Sequence, residues 1–131
     1  MKLALVITGA PHNSQAAASA WHTASAALEA GHEVMRVFLH GDGVHLAGPC
    51  PVSQDAASNW HLKWSDLILT HEIPATACVG SALRRGLVDE REAGRNGRTA
   101  NILDGWCLGG LGDWVEAEYQ ADRIIHFQPD R

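Results

Sequence analysis

The run Leu3-Ala-Leu-Val-Ile7 constrains the fold more than any other stretch of the chain. It is apolar at every position, so neither face of it is left for water. A strand of this kind is covered on both sides, as in a parallel sheet layered between helices. The next segments complete the unit. Thr8-Gly9-Ala10-Pro11 breaks the strand, and Asn13 or Ser14 is placed to cap a helix. Ala17, Ala20, Trp21, Ala24 and Leu28 then recur at helical spacing, and Gly31 ends the helix. His32–Leu39, with Val34, Val37, Phe38 and Leu39, reads as a second strand. Strand, helix and strand of these lengths make a βαβ unit, whose strands run parallel.

The remainder fits the same architecture. Gly41-Asp42-Gly43 is a turn, and Val44–Ala47 reads as a short edge strand. Pro49 and Pro51 make a loop around Cys50. Ala56, Ala57, Trp60, Trp64, Leu67 and Ile68 predict a helix over Asp55–His71, closed off by Pro74. Ala75–Val79 is a short apolar strand, Gly80-Ser81 a turn with Ser81 as N-cap, and Ala82–Arg85 the start of a helix. Gly94–Thr99 reads as polar loop, and the glycine-rich Asn101–Gly112 as a lid or an edge segment. Leu111–Ala121 predicts a helix and Arg123–Phe127 the last strand. The expectation is one domain, 1–131, with an α/β fold: a three-layer α/β/α sandwich on a mainly parallel sheet.

Charge and cysteine usage narrow the function. The formal net charge of −5 argues against direct binding to nucleic acid or an anionic membrane surface. No apolar run approaches the roughly 20 residues of a membrane helix, and Leu3–Ile7 is too short for the apolar core of a leader. The cysteines, 50, 78 and 107, are odd in number and form no C-x-x-C, which points to a reducing compartment, the cytoplasm, rather than a disulfide framework.

Cys78 is the candidate site. It is predicted at the carboxyl end of a strand, facing the amino end of a helix, where open α/β sheets place their sites. Free backbone N–H groups and the helix dipole stabilise an anionic sulfur at such a point. Arg84 and Arg85, about one turn on, can add positive potential, and His12, just after the first strand, belongs to the same sheet edge. A thiolate is what attacks a sulfane sulfur, and a thiol can hold that sulfur as a persulfide. The plainer reading stays open, since an unpaired cysteine in a strand also serves as a small apolar residue. Cys50 and Cys107 are possible second thiols or incidental ones.

Other constellations carry less. His71-Glu72 opens like H-E-x-x-H, but position 75 is Ala and Pro74 breaks any helix, so no metal site is expected. His40 and His45 lie on a loop among glycines. Thr8–Ser14 sits where a flavodoxin-like fold holds the phosphate of FMN, an alternative binding-module reading.

The residues from Cys78 to Arg95 add a resemblance. Cys78-Val-Gly-Ser-Ala-Leu-Arg-Arg-Gly86 and Val88-Asp-Glu-Arg-Glu-Ala-Gly-Arg95, with the opening strand Leu3–Thr8, the helix from Gln15, Gly110-Leu-Gly112, Val115-Glu-Ala117 and Ala121-Asp-Arg123, make the chain similar to the DsrE/TusD family of sulfur-relay sulfurtransferase subunits. Asp42–Glu72 matches poorly. The resemblance implies a five-stranded parallel sheet, Cys78 as the sulfur-accepting residue and no cofactor. It also implies two paralogous small subunits (DsrF and DsrH, or TusC and TusB) in a dimer of heterotrimers, and a small sulfur acceptor of the DsrC or TusE kind. The pathway served is either sulfur oxidation or tRNA 2-thiouridine synthesis. An inert structural subunit of such a complex is the other alternative. Cys50 and Cys107 match no family role.

Overall fold

The computed structural model describes residues 1–52 and 55–130. Five strands, β1 (Lys2–Ile7), β2 (Glu33–Leu39), β3 (Ala75–Cys78), β4 (Cys107–Gly109) and β5 (Arg123–Phe127), form one sheet in the order β4-β3-β2-β1-β5. All neighbours are parallel, and β1 lies inside the sheet, as its unbroken apolar run demands. The helices are α1 (Ala16–Glu29), α2 (Trp60–His71), α3 (Val79–Arg84), α4 (Glu90–Asn96) and α5 (Leu111–Gln120).

The two faces of the sheet are unequal. Leu3, Leu5, Ile7, Val37, Leu39, Ala75 and Ala77 point to one side, where they meet the alanine stripe of α1 and the fully buried Trp64 of α2. The Trp64 indole N–H donates to the Ala17 carbonyl at 2.9 Å, so α2 is pinned to α1 by its largest core residue. The alternate residues Ala4, Val6, Phe38, Thr76 and Cys78 project to the other side, where α5 packs on β1 and β2. Trp114 of α5 meets Phe38 there, with ring centroids 5.7 Å apart.

Local expectations fail in four places, each for a physical reason, and the helix expected over Asp55–His71 begins only at Trp60, capped by Asn59, with Ala56–Ser58 a separate 3-10 turn. Val44–Ala47 is not an edge strand: Gly41–Ala47 is a 3-10 helix whose Val44, Leu46 and Ala47 are buried between α2, α3 and the sheet. Asn13 and Ser14 do not cap α1 by the usual bond; the N-cap is Gln15, and the Ser14 hydroxyl accepts only the Ala16 N–H. Gly94–Thr99 is not all loop. Asp89 caps α4 by accepting the Glu92 N–H at 2.9 Å, and the helix runs through Gly94 to end at Gly97, φ 62°. The glycine-rich stretch resolves as an edge, contributing β4 as the outermost strand. The fourth failure, at Ser81, belongs to the site.

Candidate functional site

Cys78 is the last residue of β3 and also occupies the N-cap position of α3, with no turn between strand and helix. Gly80 and Ser81 therefore lie inside α3, and Ser81 is not its N-cap. The Cys78 residue is 9% exposed, and it stands outside the contiguous core through which Ala77 runs. A side chain built on Gly80 would meet nothing within 4 Å, so the first turn of α3 borders open space beside the thiol. On the other flank Cys78 is in register with Gly109 of β4, where a Cβ would run into the Asp113 carboxylate and lie 2.6 Å from the Thr76 methyl. Glycine is required there because those two side chains already fill the space next to Cys78.

Ser81 is buried, and its hydroxyl accepts the Gly41 N–H at 3.0 Å. The bond ties the turn after β2 to the helix after Cys78. Arg85 reinforces it. Its Nε donates to Asp42 Oδ1 at 2.9 Å and its Nη1 to the Ser81 carbonyl at 3.0 Å. The hydrogen bond and charge of Arg85 hold the Asp42 carboxyl below the usual range. Arg85 is thus engaged in clamping two segments. Arg84 is exposed in the last turn of α3, six residues after Cys78, and at 1.5 Å per residue stands about 9 Å along the axis from it.

His12 is grouped with other histidines. Its ring stands edge-on to His45, centroids 5.7 Å apart, and it lines a small recess with Pro11, Pro51, Trp60 and His61. His61 is buried and its Nε2–H donates to the His45 carbonyl at 3.0 Å. Burial lowers the pKa of both His45 and His61 from the ordinary 6.5, the charge of His12 adding to it; the bond to the carbonyl opposes it at His61. The unfolded chain then takes up protons first as the pH falls past 6.5, so stability is whole above that value and declines on acidification. The melting temperature is expected to drop between about pH 7.5 and about pH 5.5, and to drop less in His61→Gln, which keeps the donor to His45. Equal slopes in the two proteins would remove His61 from the account.

The other candidates are dispersed. Cys50 is half-buried and its sulfur accepts from Asn59 Nδ2 at 3.0 Å. Cys107 is exposed and in register with Thr76, one pleat away from Cys78 on the same face. The Thr8–Ser14 loop is filled by its own atoms: a Cβ on Gly9 would lie 2.5 Å from the Ser14 hydroxyl and 2.8 Å from the Ala16 methyl. The Thr8 hydroxyl faces His126 Nε2 at 3.1 Å, and this loop is no open phosphate cradle. Among the described residues no three of His, Cys, Asp and Glu gather as metal ligands, and no helix is long and apolar enough to cross a membrane.

A feature that sequence reasoning did not identify is a cavity of about 290 Å³ on the α5 face, walled by Val6, Phe38, Leu111 and Trp114 and rimmed by Thr8, His40 and His126. Its rim lies along the carboxyl edge of the sheet, the edge that ends in Cys78. No signal short of the strand order assembles these residues.

Comparison with known proteins places this arrangement. The DsrE/DsrF-like family matches residues 1–127. A DsrE protein of Allochromatium vinosum is 43% identical over 128 residues, covering 97% of this chain and 98% of its own. Sulfurtransferase TusD of Salmonella newport is 39% identical over 97% of this chain and its own full length, and a sulfurtransferase TusD homolog of Pseudomonas aeruginosa is 40% identical over the whole of both. The crystal structure of the YchN protein from E. coli superposes with a TM-score of 0.71 over 97% of this chain and 99% of its own, at 20% identity, and so shares the fold. With a cysteine at the strand-to-helix junction of an all-parallel five-stranded sheet, and with relatives matched end to end, this chain belongs to the DsrE/DsrF-like family.

Proposed function

We propose that the chain is a sulfurtransferase subunit of a sulfur relay, carrying a persulfide on Cys78. The observation that carries the reading is the position of this thiol: the last residue of β3, at the amino end of α3, bordering the open space at Gly80. The full-length relatives named as sulfurtransferases support it.

The chemistry is thiol–disulfide exchange. The Cys78 thiolate attacks the outer sulfur of a donor persulfide, R–S–SH. The bond from Cys78 to that sulfur forms, the bond from R–S to it breaks, and R–S⁻ leaves and is protonated. In the second step a partner's thiolate attacks the outer sulfur of Cys78–S–SH, and Cys78 departs as thiolate. Neither step has net oxidation or reduction, and neither requires a cofactor. The N–H groups of the first turn of α3 would face the anionic sulfur, with Arg84 free to supplement them; Arg85, Ser81 and His12 serve the surrounding architecture.

The relay reading includes partners. Leu111, Val115 and Tyr119 of α5 and Ile124 of β5 are exposed, an apolar surface of the kind that subunits bury against one another. Paralogous subunits of the DsrF/DsrH or TusC/TusB kind, in a heterohexamer, and an acceptor of the DsrC/TusE kind fit this role, in the reducing cytoplasm where three free thiols persist.

The test is to incubate the protein with a low-molecular-weight persulfide and map added sulfur by mass spectrometry of peptides. Sulfur on the Cys78 peptide is the expected result; sulfur confined to Cys50 or Cys107 would overturn it. The burial of Cys78 favours one alternative, an inert structural subunit, and a Cys78 that iodoacetamide leaves untouched in the folded protein would decide for that.

A further inference from the structure

We propose that His40 is the proton acceptor and donor for the Cys78 thiol, placed beside it by the register of β2 against β3. The inference rests on the sulfur-carrier reading of Cys78 and adds a residue to it.

Three observations bring the two together. First, β2 and β3 pair Val37 with Ala75, Phe38 with Thr76 and Leu39 with Ala77, the last recorded pair; carried one step further, the register sets His40, the residue just after β2, opposite Cys78, the last of β3. His40 has extended backbone, φ −138° and ψ 153°, and its N–H still donates to the Ile7 carbonyl at 3.1 Å. That bond, made to β1 on the far side from β3, keeps His40 in line with β2, and in a parallel pair partners in register project from the same face. That face is the α5 side, where the His40 ring lies over Phe38 at 6.5 Å with an interplanar angle of 18°. Second, the chain leaving His40 is bound to the helix leaving Cys78, through the Gly41 N–H and the Ser81 hydroxyl and through Asp42 and Arg85. The two strand ends cannot slide past each other without breaking those bonds. Third, His40 is exposed, and neither its ring nitrogens nor the Cys78 sulfur has a hydrogen-bond partner among the described residues. The residue also lines the cavity on the α5 face together with Thr8 and His126.

An imidazole is the side chain that exchanges a proton near neutrality. His40 takes the proton from Cys78–SH as the sulfur attacks R–S–SH, and the resulting imidazolium returns it to the departing R–S⁻. The sum is Cys78–SH plus R–S–SH giving Cys78–S–SH plus R–SH, with His40 neutral before and after. The other titratable groups on the surrounding elements are Glu33 and Arg36 on β2, Asp42 and His45 in the following turn, Arg84 and Arg85 at the end of α3, Cys107 on β4, Asp113, Glu116, Glu118 and Tyr119 on α5, and Arg123 and His126 on β5. His126 faces Thr8, Arg36 donates to Thr76 at 2.7 Å and Asp42 is held by Arg85.

The experiment uses the full chain with Cys50 and Cys107 changed to Ser, so that every signal comes from Cys78. Single-turnover loading from cysteine persulfide and alkylation by iodoacetamide are each followed by mass across about pH 5 to 9. His40→Gln is expected to load about 100-fold more slowly at neutral pH and to change the shape of both pH profiles, with its melting temperature unchanged. A His40→Gln protein with wild-type rates and profiles overturns the assignment. If the unmutated His40 protein takes up no sulfur, the sulfur-carrier reading has failed; the alkylation profile still reports whether His40 draws the proton from Cys78, and identical alkylation profiles reject the pairing.

Discussion

Cys78→Ser is expected to abolish sulfur acceptance and leave the fold intact. The substitution exchanges one small side chain for another at the end of β3. Because the sulfur has no hydrogen-bond partner among the described residues, none is lost. The new hydroxyl lies beside the unpaired N–H groups at the start of α3, as an N-cap serine does, so the change in stability should stay within about 1 kcal/mol. The chemistry has no such tolerance. A serine hydroxyl gives up its proton far less readily than a thiol and forms no lasting bond to a sulfane sulfur, whereas a thiol does so through its thiolate. Intact mass after exposure to a persulfide donor should show no added sulfur attributable to position 78. Cys50→Ser and Cys107→Ser should load as the unmodified protein does, since Cys50 is bound to Asn59 and Cys107 belongs to the outermost strand, one pleat from Cys78. Undiminished loading of Cys78→Ser, with an unchanged melting temperature, would falsify the sulfur-carrier reading outright.

Reading the sequence succeeded where neighbours in the chain are also neighbours in space. Leu3–Ile7 declares a doubly covered strand because burial on both faces leaves no polar position, and the alanine stripe of α1 declares a helix because its period matches one buried face. The junction at Cys78 was legible for the same reason: the end of a strand and the start of a helix are consecutive residues. Val44–Ala47 misled because alternating apolar residues suit an edge strand, while a 3-10 segment wedged between α2, α3 and the sheet buries Val44, Leu46 and Ala47 equally well. Ser81 misled because a serine after glycine looks like a cap. Its hydroxyl is committed to Gly41, 40 residues earlier, a bond that no local pattern announces. Helix α4 carried its own signals, the Asp89 cap and Gly97, but Gly94 gave an earlier plausible stop. His40 was invisible for the most general reason. Its relation to Cys78 depends on β2 lying between β1 and β3, and strand order is fixed by long-range packing, whereas the glycines around His40 suggested a loop.

That dependence on long-range packing gives the second large effect, at Gly43. Gly43→Ala is expected to cost about 3 kcal/mol, the upper end of what overpacking does. The added methyl would run into the Ile7 carbonyl oxygen and lie 2.8 Å from its carbon and 3.1 Å from the Thr8 Cα, all of them main-chain atoms of the β1 edge. No rotamer relieves such a contact, so either β1 or the 3-10 segment has to move. The Ile7 carbonyl also accepts the His40 N–H at 3.1 Å, and the displaced segment begins with Gly41 and Asp42, which hold Ser81 and Arg85 of the Cys78 arm. The disturbance therefore reaches the strand end that carries His40 and the helix next to Cys78. For a chain of this length a loss of about 3 kcal/mol lowers the melting temperature by about 10 °C, and persulfide loading should slow in the still-folded protein. Gly94→Ala is the control. Its site is open for 4 Å and lies within α4, so alanine there should be neutral or stabilising by up to about 1 kcal/mol. Were Gly43→Ala to melt with the wild type, the 3-10 segment could not be packed against β1 as described, and the path that seats His40 beside Cys78 would lose its anchor.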